Sequence, residues 1–248
     1  MTPIKNIVIT GASKGLGKEL AKKLSQGNHN LILVARNKDG LETVQKEIHA
    51  QTGKLPLIIT CDVSREGDVK NMTGIIKEHY RHIDVLVNNA GIGIPKILED
   101  MTSEEMRRHF EINFFGVIYC IKELLPLLKV STSGYIINIG SLLSKVSYAQ
   151  TSIYSSTKFA LNGFTEGFRY EIKSTNIKVG FFMPGPMSTS FHDDLEENTF
   201  KAPALLTINP KRAAVVIEKM ICNRKKNIYM YRWILWLMKI KHFAATLG

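Results

Sequence analysis

Tyr154 and Lys158 stand four residues apart within the segment 152–160. Residues at that spacing are neighbours one turn apart on an α-helix. A tyrosine hydroxyl ordinarily titrates near ~10, too high for acid–base work at neutral pH, and an adjacent ammonium stabilises the phenolate and draws that value down. Such a pair can pass a proton to a carbonyl oxygen. Taken alone, the spacing fits a surface pair just as well, so its weight depends on what surrounds it.

The elements that would position this pair begin at the N-terminus. Ile4–Thr10 is a short apolar, β-branched run, which suits a buried strand, and it leads through Thr10-Gly-Ala-Ser-Lys-Gly-Leu-Gly17 into an amphipathic stretch from Leu16 to about Gln26. The pattern predicts strand, tight turn, helix. Gly11, Gly15 and Gly17 remove Cβ atoms where the chain turns sharply and where a phosphate must approach the helix N-terminus. The spacing is G-x-x-x-G-x-G, neither the commonest dinucleotide motif nor a P-loop. The next strand, Asn30–Ala35, ends on Arg36 where an NAD-binding site would carry a carboxylate for the ribose hydroxyls. Arg36 and Lys14, which sits inside the glycine turn, instead offer two cations to a 2′-phosphate, and the expected cofactor is NADP(H). Each basic residue alone also reads as a solvated surface charge.

With these residues in view, the chain resembles the short-chain dehydrogenase/reductase family. The matching motifs are the turn 10–17, Cys61-Asp62-Val63, Asn88-Asn-Ala-Gly91, Asn113, Ser141, Tyr154-x-x-x-Lys158 and Pro184-Gly-Pro-Met-Ser-Thr189, in the family's order over roughly residues 4 to 190. The resemblance implies Tyr154 as general acid in reduction and base in oxidation. It also implies Lys158 as the group that tunes Tyr154 and holds the nicotinamide ribose, Ser141 as a hydrogen-bond partner of the substrate oxygen, and Asn113 as the holder of a relay water. It further places Gly11, Ser13, Lys14, Gly15, Leu16, Gly17 and Arg36 against the phosphates and adenosine ribose. Asp62 and Val63 would face the adenine, Asn89, Ala90 and Gly91 would line the cleft, and Pro184, Gly185 and Thr189 would flank the nicotinamide.

Physical chemistry agrees with these roles. Hydride arrival at a carbonyl carbon builds negative charge on its oxygen, and donors placed there lower the barrier, as Ser141 and Tyr154 would. Ser141 follows the apolar strand Tyr135–Ile139, at the carboxyl end where open α/β sheets bind ligands. Singly, Ser141 reads equally as a hydroxyl capping a turn, and Asn113 as a polar residue weakening a helix.

Further strands are expected at Leu55–Thr60, Val85–Asn88, Lys178–Met183 and Asn227–Tyr231. Helices are expected at about Leu41–Ala50, Val69–Tyr80, Glu104–Leu128, Tyr154–Lys173 and Lys211–Cys222, with Pro126 kinking or ending the long one. Thr102 with Glu105 forms a capping box, and Asn209-Pro210 a cap before a first-turn proline. This alternation predicts an α/β fold: a single-domain, Rossmann-like three-layer sandwich around a doubly wound, mostly seven-stranded parallel sheet. The expected organisation is a catalytic domain over 1–231, with 188–209 as substrate lid, and an amphipathic tail over 232–248. Met101, Leu142, Leu143, Val146, Met187 and Phe191 suggest an apolar pocket, hence a lipophilic ketone, aldehyde or secondary alcohol as substrate.

Composition bounds the rest. The 248 residues contain 44% hydrophobic residues, ample for a core, and no linker or repeat divides them. Cys61, Cys120 and Cys222 lack metal spacing and are expected to be buried free thiols in a reducing, cytoplasmic setting. The cluster His192, Asp193, Asp194, Glu196 and Glu197 reads as a solvated face, and no metal is expected. The formal charge of +11 comes without a nucleic-acid-binding motif, and no nucleic-acid partner is expected. The tail holds Trp233, Trp236, Lys239 and Lys241, which puts the family's usual tetramer in doubt. It suits either packing on the domain or on a homodimer partner, or peripheral membrane contact. A different class of function also fits such a scaffold: a nonenzymatic NADP(H)-binding redox sensor or scaffold protein.

Overall fold

The computed structural model describes residues 4–187 and 207–230. Seven strands, β1 (Asn6–Thr10), β2 (Asn30–Ala35), β3 (Leu57–Thr60), β4 (Val85–Asn88), β5 (Tyr135–Ile139), β6 (Lys178–Met183) and β7 (Asn227–Tyr229), form one sheet in the order β3-β2-β1-β4-β5-β6-β7. Every pairing is parallel. Both faces of such a sheet must be covered, which is why its central strands read as continuous apolar runs. β1, β4 and β5 are buried along their whole length. The intervening helices are α1 (Gly15–Ser25), α2 (Lys38–Thr52), α3 (Glu66–His79), α4 (Ser103–Phe110), α5 (Gly116–Val130), α6 (Ser152–Glu171) and α7 (Pro210–Asn223).

Strand alternation separates two cores. Ile7, Ile9, Val85, Val87 and Ile137 face α1, α2 and α7, whereas Val8, Leu86, Ile136 and Phe181 face α3, α5 and α6. The sheet is therefore the middle of three layers, a Rossmann-like, doubly wound single domain as the alternation predicts. The strand order reverses between β1 and β4, which creates a crevice at their carboxyl ends.

Several expectations change. The stretch 104–128 is not one helix: a π-helical segment, Glu111–Phe115, separates α4 from α5, with Gly116 N–H bonded to Glu111 O. Pro126 does not end α5, which runs on to Val130. Pro126 itself is exposed, as is Lys122, whose carbonyl loses its helical donor and meets water instead. Cys61 and Cys120 are buried free thiols, but Cys222 is exposed, since it falls on the outward side of α7. Strand β1 also starts at Asn6 rather than Ile4, and β3 at Leu57 rather than Leu55, because Ile4 and Leu55 point into solvent.

Candidate active site

The crevice is drawn tight by glycines. Gly11 has φ +66°, and a Cβ there would lie 2.8 Å from the Ala90 Cα; a Cβ on Gly17 would lie 2.2 Å from the Gly11 carbonyl oxygen. Only glycine fits either place. The loop after β4 is fastened to the same turn: Thr10 Oγ1 accepts from the Asn89 and Ala90 amides at 3.0 Å each, and Asn89 Nδ2 donates to the carbonyls of Thr10 (2.9 Å) and Gly11 (3.1 Å). Asn89 thus ties the crevice walls together. Helix α1 starts behind Lys14, whose backbone is extended and whose side chain makes no cap, and its first turn holds no acid. Amide groups of that turn are left for an anion, with the helix dipole behind them. Leu16 is buried in the core and Ser13 is half-buried, close to Gly40 of α2.

At the ends of β2 and β3, exposed Arg36 lies 3.9 Å from Asp62 through Nη1 and Oδ2. Asp62 is held in turn by Ser64, which donates from its amide (3.0 Å) and its hydroxyl (2.7 Å) to Oδ1. Val63 is buried against Gly116 at the start of α5.

The tyrosine and lysine sit on α6, across from the loop that leaves β5. Ser141 begins a short 3-10 turn, Leu142–Ser144, where its Oγ accepts from Leu143 N at 3.1 Å and its own amide donates to Ser144 Oγ. The same Ser141 hydroxyl hydrogen-bonds Tyr154. Both readings of Ser141 hold together: the cap fixes the hydroxyl that faces the tyrosine. Lys158 is buried, donates to Ile139 O at 3.0 Å and lies 5.8 Å from the Tyr154 ring centre. An ammonium carries three donors, and Ile139 takes one.

Asn113 reaches this group from the π-helical segment. Its Oδ1 accepts from Ile92 N (2.8 Å), and its Nδ2 donates to Ile92 O (2.8 Å) and Thr157 Oγ1 (3.2 Å). The extra residue in that helical turn aims Asn113 inward at the loop after β4. A Cβ on Gly91 would stand 3.0 Å from Asn113 Oδ1 and 3.8 Å from Lys158 Nζ, so Gly91 keeps that space open. Thr157 was not among the residues expected from sequence. It is fully buried, and it donates to Tyr154 O at 2.7 Å while accepting from Asn113, which joins the two halves of the site. Thr157→Val removes both bonds at constant shape and should lower stability by about 1 kcal/mol in denaturant unfolding, with Thr157→Ser restoring it.

Burial dominates the electrostatics. It pushes the Tyr154 hydroxyl up to about 12, with the Ser141 hydrogen bond pulling the other way, and it pushes the Lys158 ammonium down to about 8. This reverses the expected direction for Tyr154. Sequence spacing shows that the lysine is adjacent but not that both groups are withdrawn from water, and loss of solvation penalises whichever form is charged. The imidazole of His109, buried beneath the same loop, is likewise lowered by burial; its Nε2 accepts from Ile94 N at 3.1 Å, so its charge plays no part.

Pro184 and Gly185 are buried beside the Ser141 turn, where Pro184 O accepts from Leu142 N at 3.1 Å. Of the suggested pocket residues, Met101, Leu142 and Val146 are buried in the core, which leaves Leu143 and Met187 half-buried. Met187 pairs with Ile208, so the described residues on either side of 188–206 meet at this edge. Thr189, Phe191, the acidic cluster and the tail lie outside the described residues. Among the described residues no cluster of His, Cys, Asp and Glu is arranged to hold a metal, and no helix is long and apolar enough to cross a membrane.

A parallel sheet with this crevice, these glycines and a Ser–Tyr–Lys group defines a dinucleotide-dependent oxidoreductase scaffold, and the family profile described as short chain dehydrogenase matches residues 5–199. The chain belongs to the short-chain dehydrogenase/reductase family. It is 33% identical over 199 residues to an uncharacterized oxidoreductase of Staphylococcus saprophyticus, covering 79% of this chain and 80% of that one. It is 32% identical to the 11-beta-hydroxysteroid dehydrogenase-like 2 of Arabidopsis thaliana over 244 residues, 98% of this chain and 79% of the other. A 3-ketodihydrosphingosine reductase of Bacteroides thetaiotaomicron is 35% identical over 188 residues, 76% and 66% of the two chains. Among solved structures, the alcohol dehydrogenase of the archaeon Thermococcus sibiricus complexed with 5-hydroxy-NADP superposes with a TM-score of 0.81 at 28% identity, covering 89% of this chain and 91% of that one.

Proposed function

We propose that the chain is an NADP(H)-dependent reductase of lipophilic ketones or aldehydes, able to run backwards on the matching secondary alcohols, with Asn113, Ser141, Tyr154 and Lys158 as its catalytic residues. The observation that carries this is the meeting of a Ser141–Tyr154 hydroxyl pair with buried Lys158 beside the glycine crevice. Bound there, the dinucleotide supplies the hydride. Tyr154, kept protonated by burial, gives its proton to the carbonyl oxygen as charge builds on it. Ser141, held by Leu143 N, fixes that oxygen. Lys158 has donors for ribose hydroxyls, and Asn113 holds the loop that carries Gly91 in register with α6.

Gly11, Ser13, Lys14, Gly15, Leu16 and Gly17 would hold the phosphates at the open start of α1, Leu16 through its backbone. Asp62 and Val63 would stand at the adenine end, Asn89, Ala90 and Gly91 along the cleft, and Pro184, Gly185 and Thr189 by the nicotinamide. Lys14 and Arg36 favour the 2′-phosphate, in keeping with the NADP analogue in the Thermococcus enzyme. Relatives whose names specify a hydroxysteroid and a 3-ketodihydrosphingosine support a lipophilic substrate. Half-exposed Phe115 and Phe159, on the outer side of the α5–α6 layer, offer an apolar face for a homodimer partner. The domain over 1–231, its lid over 188–209 and a cytoplasmic setting complete the proposal.

Cofactor choice is tested by Arg36→Asp. We expect NADPH affinity to fall about ten- to a hundred-fold while NADH affinity is unchanged or improved, as fluorescence titration would show. Equal affinities of the wild type for the two would remove the 2′-phosphate assignment.

A further inference from the structure

All seven strands run the same way, so every connection that precedes a strand opens at one edge of the sheet, opposite the edge that carries Ser141. That edge is basic. Lys5, Arg81, Lys173, Lys178, Lys225 and Lys226 precede or open strands there, Lys5 half-buried and the others exposed. A cation excess at helix C-termini can merely answer the helix dipole, but these six lie beyond the helices. Glu78 and Glu171, in the last turns of α3 and α6, offset part of this charge. Within the described connections themselves the one carboxylate is Asp84. It is buried, and it accepts from Asn6 N (2.8 Å) and Ser131 Oγ (2.6 Å) with His82 Nε2 at 3.4 Å, so it does not face outward.

Apolar side chains protrude among these cations. Among the described residues, the large hydrophobics exposed by more than half are Ile4 (58%), Leu55 (69%), Leu98 (58%), Val130 (65%) and Tyr170 (80%). All but Leu98 sit at or next to the basic edge: Ile4 and Leu55 in pre-strand connections, Val130 and Tyr170 at the ends of α5 and α6. Seven strands set ~4.8 Å apart make a front on the order of 29 Å wide.

We propose that this amino-terminal edge is a docking face for an anionic lipid bilayer. Cations attract the negative surface, and the apolar tips enter the boundary between headgroups and acyl chains. A nucleic-acid backbone would satisfy the cations but offer nothing to Ile4, Leu55 and Val130, and no helix or ribbon here is shaped for a groove. Docked this way, the crevice faces the water. β7 ends at the opposite edge, where Met230 N donates to Met183 O at 3.2 Å, so the cations and apolar tips of this face come from the described residues and not from the tail.

The test is co-sedimentation of the full chain with vesicles of phosphatidylcholine alone and of phosphatidylcholine with phosphatidylserine, three to one. Binding should need phosphatidylserine and weaken with salt. Lys225→Gln with Lys226→Gln should weaken it at least about ten-fold. Carbonyls, not side chains, of these two lysines bind Tyr135 and Arg169, so the variant should melt like the wild type. Leu55→Ser should lower affinity by about three-fold or more without changing the salt dependence. The proposal is overturned if the wild type ignores the charged vesicles or if the double variant binds them unchanged. It is equally overturned if deletion of 232–248 alone abolishes binding, or if duplex DNA is bound as tightly as the vesicles.

Discussion

Tyr154→Phe should bind NADPH as the wild type does and turn over a good ketone substrate about 10²–10⁴-fold more slowly, the range expected when a positioned proton donor is lost. The change deletes one oxygen. The ring stays between α6 and the β5 loop, so the crevice, the Ser141 cap and the Lys158–Ile139 hydrogen bond are all preserved. What disappears is the hydroxyl that hydrogen-bonds Ser141. Because burial raises the Tyr154 hydroxyl to about 12, it remains an acid at every ordinary working pH. Reduction should therefore be nearly flat across neutral pH. Alcohol oxidation, which needs the phenolate, should climb with pH. A Phe variant with wild-type turnover would show that the proton comes from elsewhere.

Lys158→Met should lose both cofactor affinity and rate, the rate by about 10²-fold or more, since on the proposed assignment it removes the cation that would grip ribose hydroxyls and favour charge on the neighbouring oxygen. The pH dependence gives a second readout. Burial lowers Lys158 from an ordinary 10.5 to about 8, so between those values the unfolded chain binds more protons than the native one. Stability contributed by this group thus rises as pH rises from about 8 to 10.5 and is absent below that window. For Tyr154 the sign is opposite: its folded value is raised from 10 to about 12, and the stability it contributes is lost as pH climbs through that interval. Thermal unfolding of the wild type and Lys158→Met across the lower window should show the rise only in the wild type. A parallel pair of curves would mean that Lys158 is not held as buried as its place under Ile139 implies.

The sheet was legible from sequence because a doubly covered parallel strand must be apolar throughout: β2, β4, β5 and β6 coincide with the apolar runs to the residue. The π-helical break was not, because nothing in Glu111–Phe115 marks an extra residue in the turn and its distortion serves a contact with Ile92, distant in sequence. Candidate site residues on glycine turns and at strand ends are picked out by type and spacing. Thr157 did not: a threonine inside a helix is unremarkable until Asn113 is seen to lean on it. The departure at Tyr154 has the same origin, for adjacency along a helix is written in the spacing whereas burial is a property of the assembled layers.

The central claim is that Tyr154, Ser141 and Lys158 deliver a proton to a carbonyl whose hydride comes from NADPH held at the glycine crevice. It is tested most directly by incubating the wild type with NADPH carrying deuterium at the transferable position and a lipophilic ketone, then weighing the alcohol formed. The account predicts an alcohol that carries the deuterium on its carbinol carbon, formed about 10²–10⁴-fold more slowly by Tyr154→Phe. Failure of NADPH to bind, or an alcohol that forms without the label, would contradict it.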